Sequence, residues 1–138
     1  MSNRYRSILS LGSSFQNLRS TEYDGIDDYV QSDSSLSLSG DFTASAWIKP
    51  TAFDASFNMI FAFETTGNDT FIAIRGSGGI LSYGDGTLNI QTGSSFISLN
   101  VWQNIVVKRE GTTVSFYNNN TKFVSPNAST GKDNSGVL

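Results

Sequence analysis

The residues with the most chemical potential stand close together near the front of the chain. The stretch "EYDGIDDYVQSD", residues 22–33, places five carboxylates within twelve positions. Clustered carboxylate oxygens can hold a hard cation such as calcium, and Asp24, Asp27 and Asp28 are the candidate ligands. Their spacing is not that of an EF-hand loop, which needs acids at alternating positions, a central glycine and a distal glutamate. The alternative is local. Asp24-Gly25 forms a turn, and Asp27 and Asp28 shape the next strand start through side-chain-to-backbone hydrogen bonds. The second reading is preferred, so no cofactor is expected, with calcium the one alternative.

Catalytic chemistry has few other carriers. The chain of 138 residues contains no histidine and no cysteine. Imidazole general bases, thiolate nucleophiles, thiolate metal sites and disulfides are therefore excluded. A retaining glycosidase needs two carboxyl groups about 5 Å apart on one face. The glutamates here are Glu22, Glu64 and Glu110, far apart in sequence, and the adjacent Asp27 and Asp28 would point to opposite sides of a strand. No enzyme is expected. "IRGSGGILSYGDG" is glycine-rich but lacks the Lys-Ser/Thr ending and the strand-to-helix context of a phosphate loop.

The elements that must position any site read as β-strands. Short apolar runs alternate with Gly, Ser, Asn and Asp, and no window sustains a helical period. "FTASAWIKP" is the clearest strand: Phe42, Ala44, Ala46 and Ile48 alternate with Thr43, Ser45, Trp47 and Lys49, and Pro50 ends it. "SFNMIFAFET" is apolar on both faces and predicts a central strand. "TFIAIRG" returns as its hairpin partner. A second hairpin turns around Asp85-Gly86, and a third joins "WQNIVVKRE" to "VSFYNN" through "EGTT". A short strand is expected at "YVQSD" and a polar loop at "SSLSLSGD". The nine or ten strands suit an all-β, two-sheet antiparallel sandwich. Residues 1–13 read as a flexible basic arm and residues 14–138 as the sandwich domain.

Charge divides the same way. Arg4, Arg6 and Arg19 precede the first acid, whereas residues 22–138 hold six basic and twelve acidic side chains. Arg4 and Arg6 are candidate contacts to an acidic partner. The acidic body argues against nucleic acid. No apolar stretch is long enough for a signal peptide or a membrane span, so synthesis in the cytoplasm and no membrane partner are expected. Phe53 and Phe57, in the loop after Pro50, are the surface aromatics most suited to a ligand or partner. Tyr83 and Tyr117 are strand aromatics with polar neighbours, and Tyr83 joins the contact set. Trp47 lies on the polar side of its strand, but with Trp102 it is expected to serve packing, at a cost of about 3–5 kcal/mol on truncation to Ala.

Two segments carry a resemblance. "EYDGIDDYVQSDSSLSLSGDFTASAWIKP" is similar to the opening of the laminin-G-like, concanavalin A-like lectin/glucanase family, with its F-D-G-x-D-D-Y-V phrase followed by F-T-x-S-A-W-x-K-P. "VWQNIVVKREGTTVSFYNNNTKFV" resembles the later strand pair of that family. The resemblance implies a jelly-roll sandwich. It departs at Asn120, where the family usually has Gly, and after Leu138, where the family continues into a further strand. A sandwich without its C-terminal strand is thus one expectation, completed by a protein partner: another copy of the chain or a shell or tail protein. The glucanase branch carries E-x-D-x-x-E on one strand, which this sequence lacks. The function implied is a non-enzymatic adhesion or assembly module, as a virion structural protein (capsid decoration, fibre or tail component) of a bacteriophage, displayed on the virion surface. The alternative is a carbohydrate-binding, lectin-like domain.

Overall fold

The computed structural model describes residues 21–23, 30–31, 35–37, 40–63, 70–85, 89–127, 129 and 135–137. Ten strands appear in these residues: β1 (Ser35–Ser37), β2 (Phe42–Ile48), β3 (Phe57–Phe63), β4 (Thr70–Arg75), β5 (Ile80–Asp85), β6 (Asn89–Gln91), β7 (Gln103–Glu110), β8 (Thr113–Asn118), β9 (Thr121–Val124) and β10 (Ser135–Val137). They form two antiparallel four-stranded sheets, ordered β2-β7-β8-β9 and β3-β4-β5-β6, and a two-stranded ribbon of β1 and β10. This is the jelly-roll sandwich expected from the strand pattern.

The alternation in the sequence becomes the two sides of each sheet. Along β7, Gln103, Ile105, Val107 and Arg109 are buried while Asn104, Val106 and Lys108 are part-exposed. Along β2, Phe42, Ala44, Ala46 and Ile48 face inward, and the intervening residues are exposed. The inner sides meet in a core of Ile72, Ile74, Leu81, Tyr83, Ile90, Ile105, Val107, Val114 and Phe116. Packing between apolar faces of two sheets is the main favourable term in such a fold.

Tight turns follow local chemistry. β7 and β8 are joined by Gly111-Thr112, with Gly111 at φ 57°, where glycine carries no steric penalty. β8 and β9 are joined by Asn119-Asn120, and the left-handed residue is Asn119, at φ 50°. Asparagine tolerates this conformation. Asn119 is also clamped: its N–H donates to Asn104 O (2.8 Å), and its Oδ1 accepts from Asn104 N (3.0 Å). A glycine at 120 is therefore not needed here.

Three expectations are corrected or completed. β3 is not central: among the described residues it pairs only with β4, and Met59 is 56% exposed. Burial on both sides falls instead on β4 and β5, which have a neighbour on each edge. The polar loop expected over "SSLSLSGD" contains β1, whose ladder is supplied by β10. Of the strand expected at 29–33, Val30 and Gln31 lie in no ladder, and Val30 is exposed. The basic arm, including Arg4 and Arg6, lies outside the described residues, as do Asp24, Asp27 and Asp28.

Candidate binding surfaces

The solvent side of β2-β7-β8-β9 is assembled by register. One row across the sheet runs Ser45, Val106, Tyr117, Lys122, and the next pairs Trp47 with Asn104. With strands about 4.8 Å apart, Trp47 and Tyr117 sit two strand spacings and one row from each other, roughly 10–12 Å between backbones. Trp47 is 46% exposed and Val106 and Tyr117 are partly exposed. Lys122 Nζ stands 5.5 Å from the centre of the Tyr117 ring, a cation–π contact. Lys108 and Glu110 form a 2.8 Å ion pair on the same side. The hydrogen bond that the Lys108 ammonium donates to Glu110 holds its pKa above the usual value. The result is a shallow surface with two aromatic rings set among amide, hydroxyl and ammonium groups.

Next to it, the loop before β7 is pinned by buried polar groups. Gln103 Nε2 donates to Ser98 O (2.7 Å) and its Oε1 accepts from Ser98 N (2.9 Å) and from Asn118 Nδ2 (2.8 Å). Asn100 N donates to Pro50 O (2.7 Å), which draws the exposed Leu99 and Val101 to the end of the sheet where β2 finishes.

A second surface lies on the outer side of the other sheet. Ala55, Ser56, Phe57, Arg75, Ile80 and Gln91 line a groove of about 450 Å³. Phe57 stacks edge-on to Phe71 at 5.2 Å, and the Arg75 guanidinium lies 5.5 Å from the centre of the Phe57 ring. Arg75 Nη1 donates to Gln91 Oε1 at 3.0 Å.

The contact residues read from the sequence do not form one site. Phe57 reaches the groove. Phe53 does not project from its loop: it packs against the core and touches the space beside Gly79. Tyr83 is not a contact residue either. It is 1% exposed, since β5 turns it inward against the Phe42 ring, 5.6 Å away. Trp47 is also corrected, from packing residue to half-exposed surface, while Trp102 is half-buried. Arg75 and Gln91 were missed. Arg75 stands at an exposed-parity position of "TFIAIRG", but nothing in the sequence brings Gln91 to it.

The altered placement of Trp47 changes its expected energetics. Because nearly half of it stays in water, Trp47→Ala should cost about 1–2 kcal/mol rather than the 3–5 kcal/mol of a buried tryptophan. Chemical denaturation of the wild type and variant checks this, and a loss above 3 kcal/mol would return Trp47 to a packing role.

Among the described residues no group of three His, Cys, Asp or Glu side chains could hold a metal ion. Glu110 is ion-paired to Lys108, and Asp41 Oδ1 accepts from Gly111 N at 2.6 Å.

Residues 24–137 match the family model of the concanavalin A-like lectin/glucanases superfamily, in its laminin-G-like branch, and the chain belongs to that family. No curated protein and no solved structure matches the chain.

Proposed function

We propose that this domain is a non-enzymatic, lectin-like adhesion module that binds carbohydrate on the solvent side of β2-β7-β8-β9. One observation carries the reading: Trp47, 46% exposed, shares that side with Tyr117 and with the short polar side chains of Ser45 and Asn104. Sugar rings stack their C–H faces on aromatic side chains, while amide and hydroxyl groups fix their hydroxyls. A non-enzymatic role is supported by a sequence without His or Cys, and by the engagement of Glu110 with Lys108 and of Asp41 with the Gly111 N–H.

Glycan-array screening of the purified chain, followed by calorimetry, tests the proposal. The expected result is binding without release of product. Trp47→Ala should weaken it by about tenfold or more, since an aromatic stacking contact is worth roughly 1–3 kcal/mol. Binding unchanged in a Trp47→Ala/Tyr117→Ala double variant would overturn it.

A second reading, assembly within a virion as a decoration, fibre or tail component, is favoured by a separate observation. Large apolar side chains are exposed on strands that are edges among the described residues: Met59 on β3 at 56% and Val124 on β9 at 49%. Edge strands with apolar side chains favour protein contact, here with copies of the chain or a shell or tail protein. Sedimentation equilibrium that detects only monomer at high concentration would count against self-assembly.

A further inference from the structure

The geometry points to a second binding site, distinct from the Trp47 surface: the groove between Phe57 and Gln91 takes a carboxylate-bearing sugar, such as a hexuronic acid residue, through Arg75.

The charge argument comes first. Residues 22–138 contain twice as many acidic as basic side chains, so an exposed arginine would be expected to settle on a carboxylate. Among the described residues Arg75 has no carboxylate partner. Its two contacts are neutral: the Gln91 Oε1 at 3.0 Å and the Phe57 ring at 5.5 Å. These hold the guanidinium in place without neutralising it. A planar guanidinium immobilised by neutral groups keeps its remaining N–H fork for an incoming anion, and that fork matches a carboxylate.

The rest of the groove selects the body that carries the carboxylate. Gln91 gives its Oε1 to Arg75, which leaves its Nε2 amide as a further donor. Ser56 is also among the lining residues. Phe57 and Ile80 supply apolar surface on which the C–H face of a sugar ring can rest. Gly76 and Gly78 line the same groove without side chains. A Cβ at either would sit in ordinary van der Waals contact, 3.7–3.8 Å from Ala55, Ile80 or Ser94, without a clash. The Asp54 carboxylate in the adjoining loop is turned onto its neighbours, accepting from Ala55 N and from Ser56 Oγ (3.4 Å). The groove, about 450 Å³, lies open to solvent, which suits one residue of a longer chain rather than an enclosed small molecule.

The test uses the full chain and three probes, oligogalacturonate, a neutral galactose oligomer of the same length and an acidic oligoglutamate peptide, by calorimetry at low and at physiological salt. Oligogalacturonate should bind, more weakly as salt rises. Arg75→Gln should weaken it roughly 10- to 100-fold, the loss of a charge-assisted contact. Phe57→Ala should also weaken it, and Trp47→Ala should not. Unchanged melting of Arg75→Gln establishes that the fold is intact. If neither probe binds, or both bind equally, or Arg75→Gln leaves oligogalacturonate binding intact, the proposal is overturned. Preference for an acidic peptide over oligogalacturonate overturns it too, by assigning the groove to protein. Loss at Trp47 alone would fail this groove while leaving the carbohydrate reading of the other surface standing, and the converse pattern would do the opposite.

Discussion

Arg109→Ala should lower the stability of this domain by about 3–5 kcal/mol, which for a chain of this size is a fall of roughly 10–20 °C in melting temperature. Arg109 is 1% exposed between the sheets, at the end of β7. Its Nε donates to Gly40 O at 2.8 Å, its Nη2 reaches the same carbonyl, and its Nη1 approaches Tyr83 Oη at 3.4 Å. The guanidinium also lies 5.5 Å from the centre of the Phe42 ring. It therefore ties the loop before β2 to both sheets at once. Truncation removes these contacts and empties the space that the guanidinium fills between the sheets, beside the buried Tyr83 ring. Arg109→Lys should recover only a small part, because a compact ammonium cannot reproduce the fork. Arg109→Met keeps most of the volume without the hydrogen bonds. If the methionine variant melted with the wild type, the hydrogen bonds would contribute nothing net and the assignment of their role would fail.

Gly79→Val should be at least as damaging, and the expected result is a chain that fails to accumulate as folded protein. Two causes add. Gly79 sits at φ +61°, where a β-branched residue is strained by about 1–3 kcal/mol. A Cβ there would also lie closer than 3.0 Å to the carbonyl oxygen of Ile97, and 3.2 Å from the Phe53 ring. The carbonyl cannot withdraw easily, since Ile97 N donates to Gly79 O at 2.9 Å and fixes the two backbones together. A graded alanine series separates the causes. Gly93→Ala meets no neighbour and has no positive φ, so a change within ~0.5 kcal/mol is expected. Gly111→Ala, at φ +57° in open space, should cost about 1–2 kcal/mol. Gly79→Ala, with both strain and clash, should cost about 3 kcal/mol or more. Denaturation midpoints that did not follow this order would show that the close approach of Gly79 to Ile97 is not what the backbone there requires.

The sequence by itself determined the fold class and most of the strands. A period of two in "FTASAWI" and "QNIVVKRE" marks which side chains face the core, because successive residues of a strand point to opposite sides. The turn at Gly111, read from "EGTT", was legible for a local reason, since few residue types accept a left-handed backbone, whereas the turn at Asn119 was not read. The family phrases at 22–50 and 101–124 fall, but for the first two residues, within the span 24–137 matched by the family model. What periodicity cannot supply is each strand's neighbours. An all-apolar run such as "MIFAF" fits a central strand and an apolar edge equally well, and only the order β3-β4-β5-β6 placed it, among the described residues, at the edge with Met59 in water. Tyr83 and Phe57 looked alike as aromatics among polar residues, yet sheet packing turned one into the core and the other onto a groove. An arginine is normally read as exposed. Arg109 became buried because the second sheet and the Gly40 carbonyl closed over it, and Arg75 met Gln91, sixteen residues away, because β4, β5 and β6 lie side by side. These are contacts between segments distant in sequence, and only tertiary packing brings such segments together.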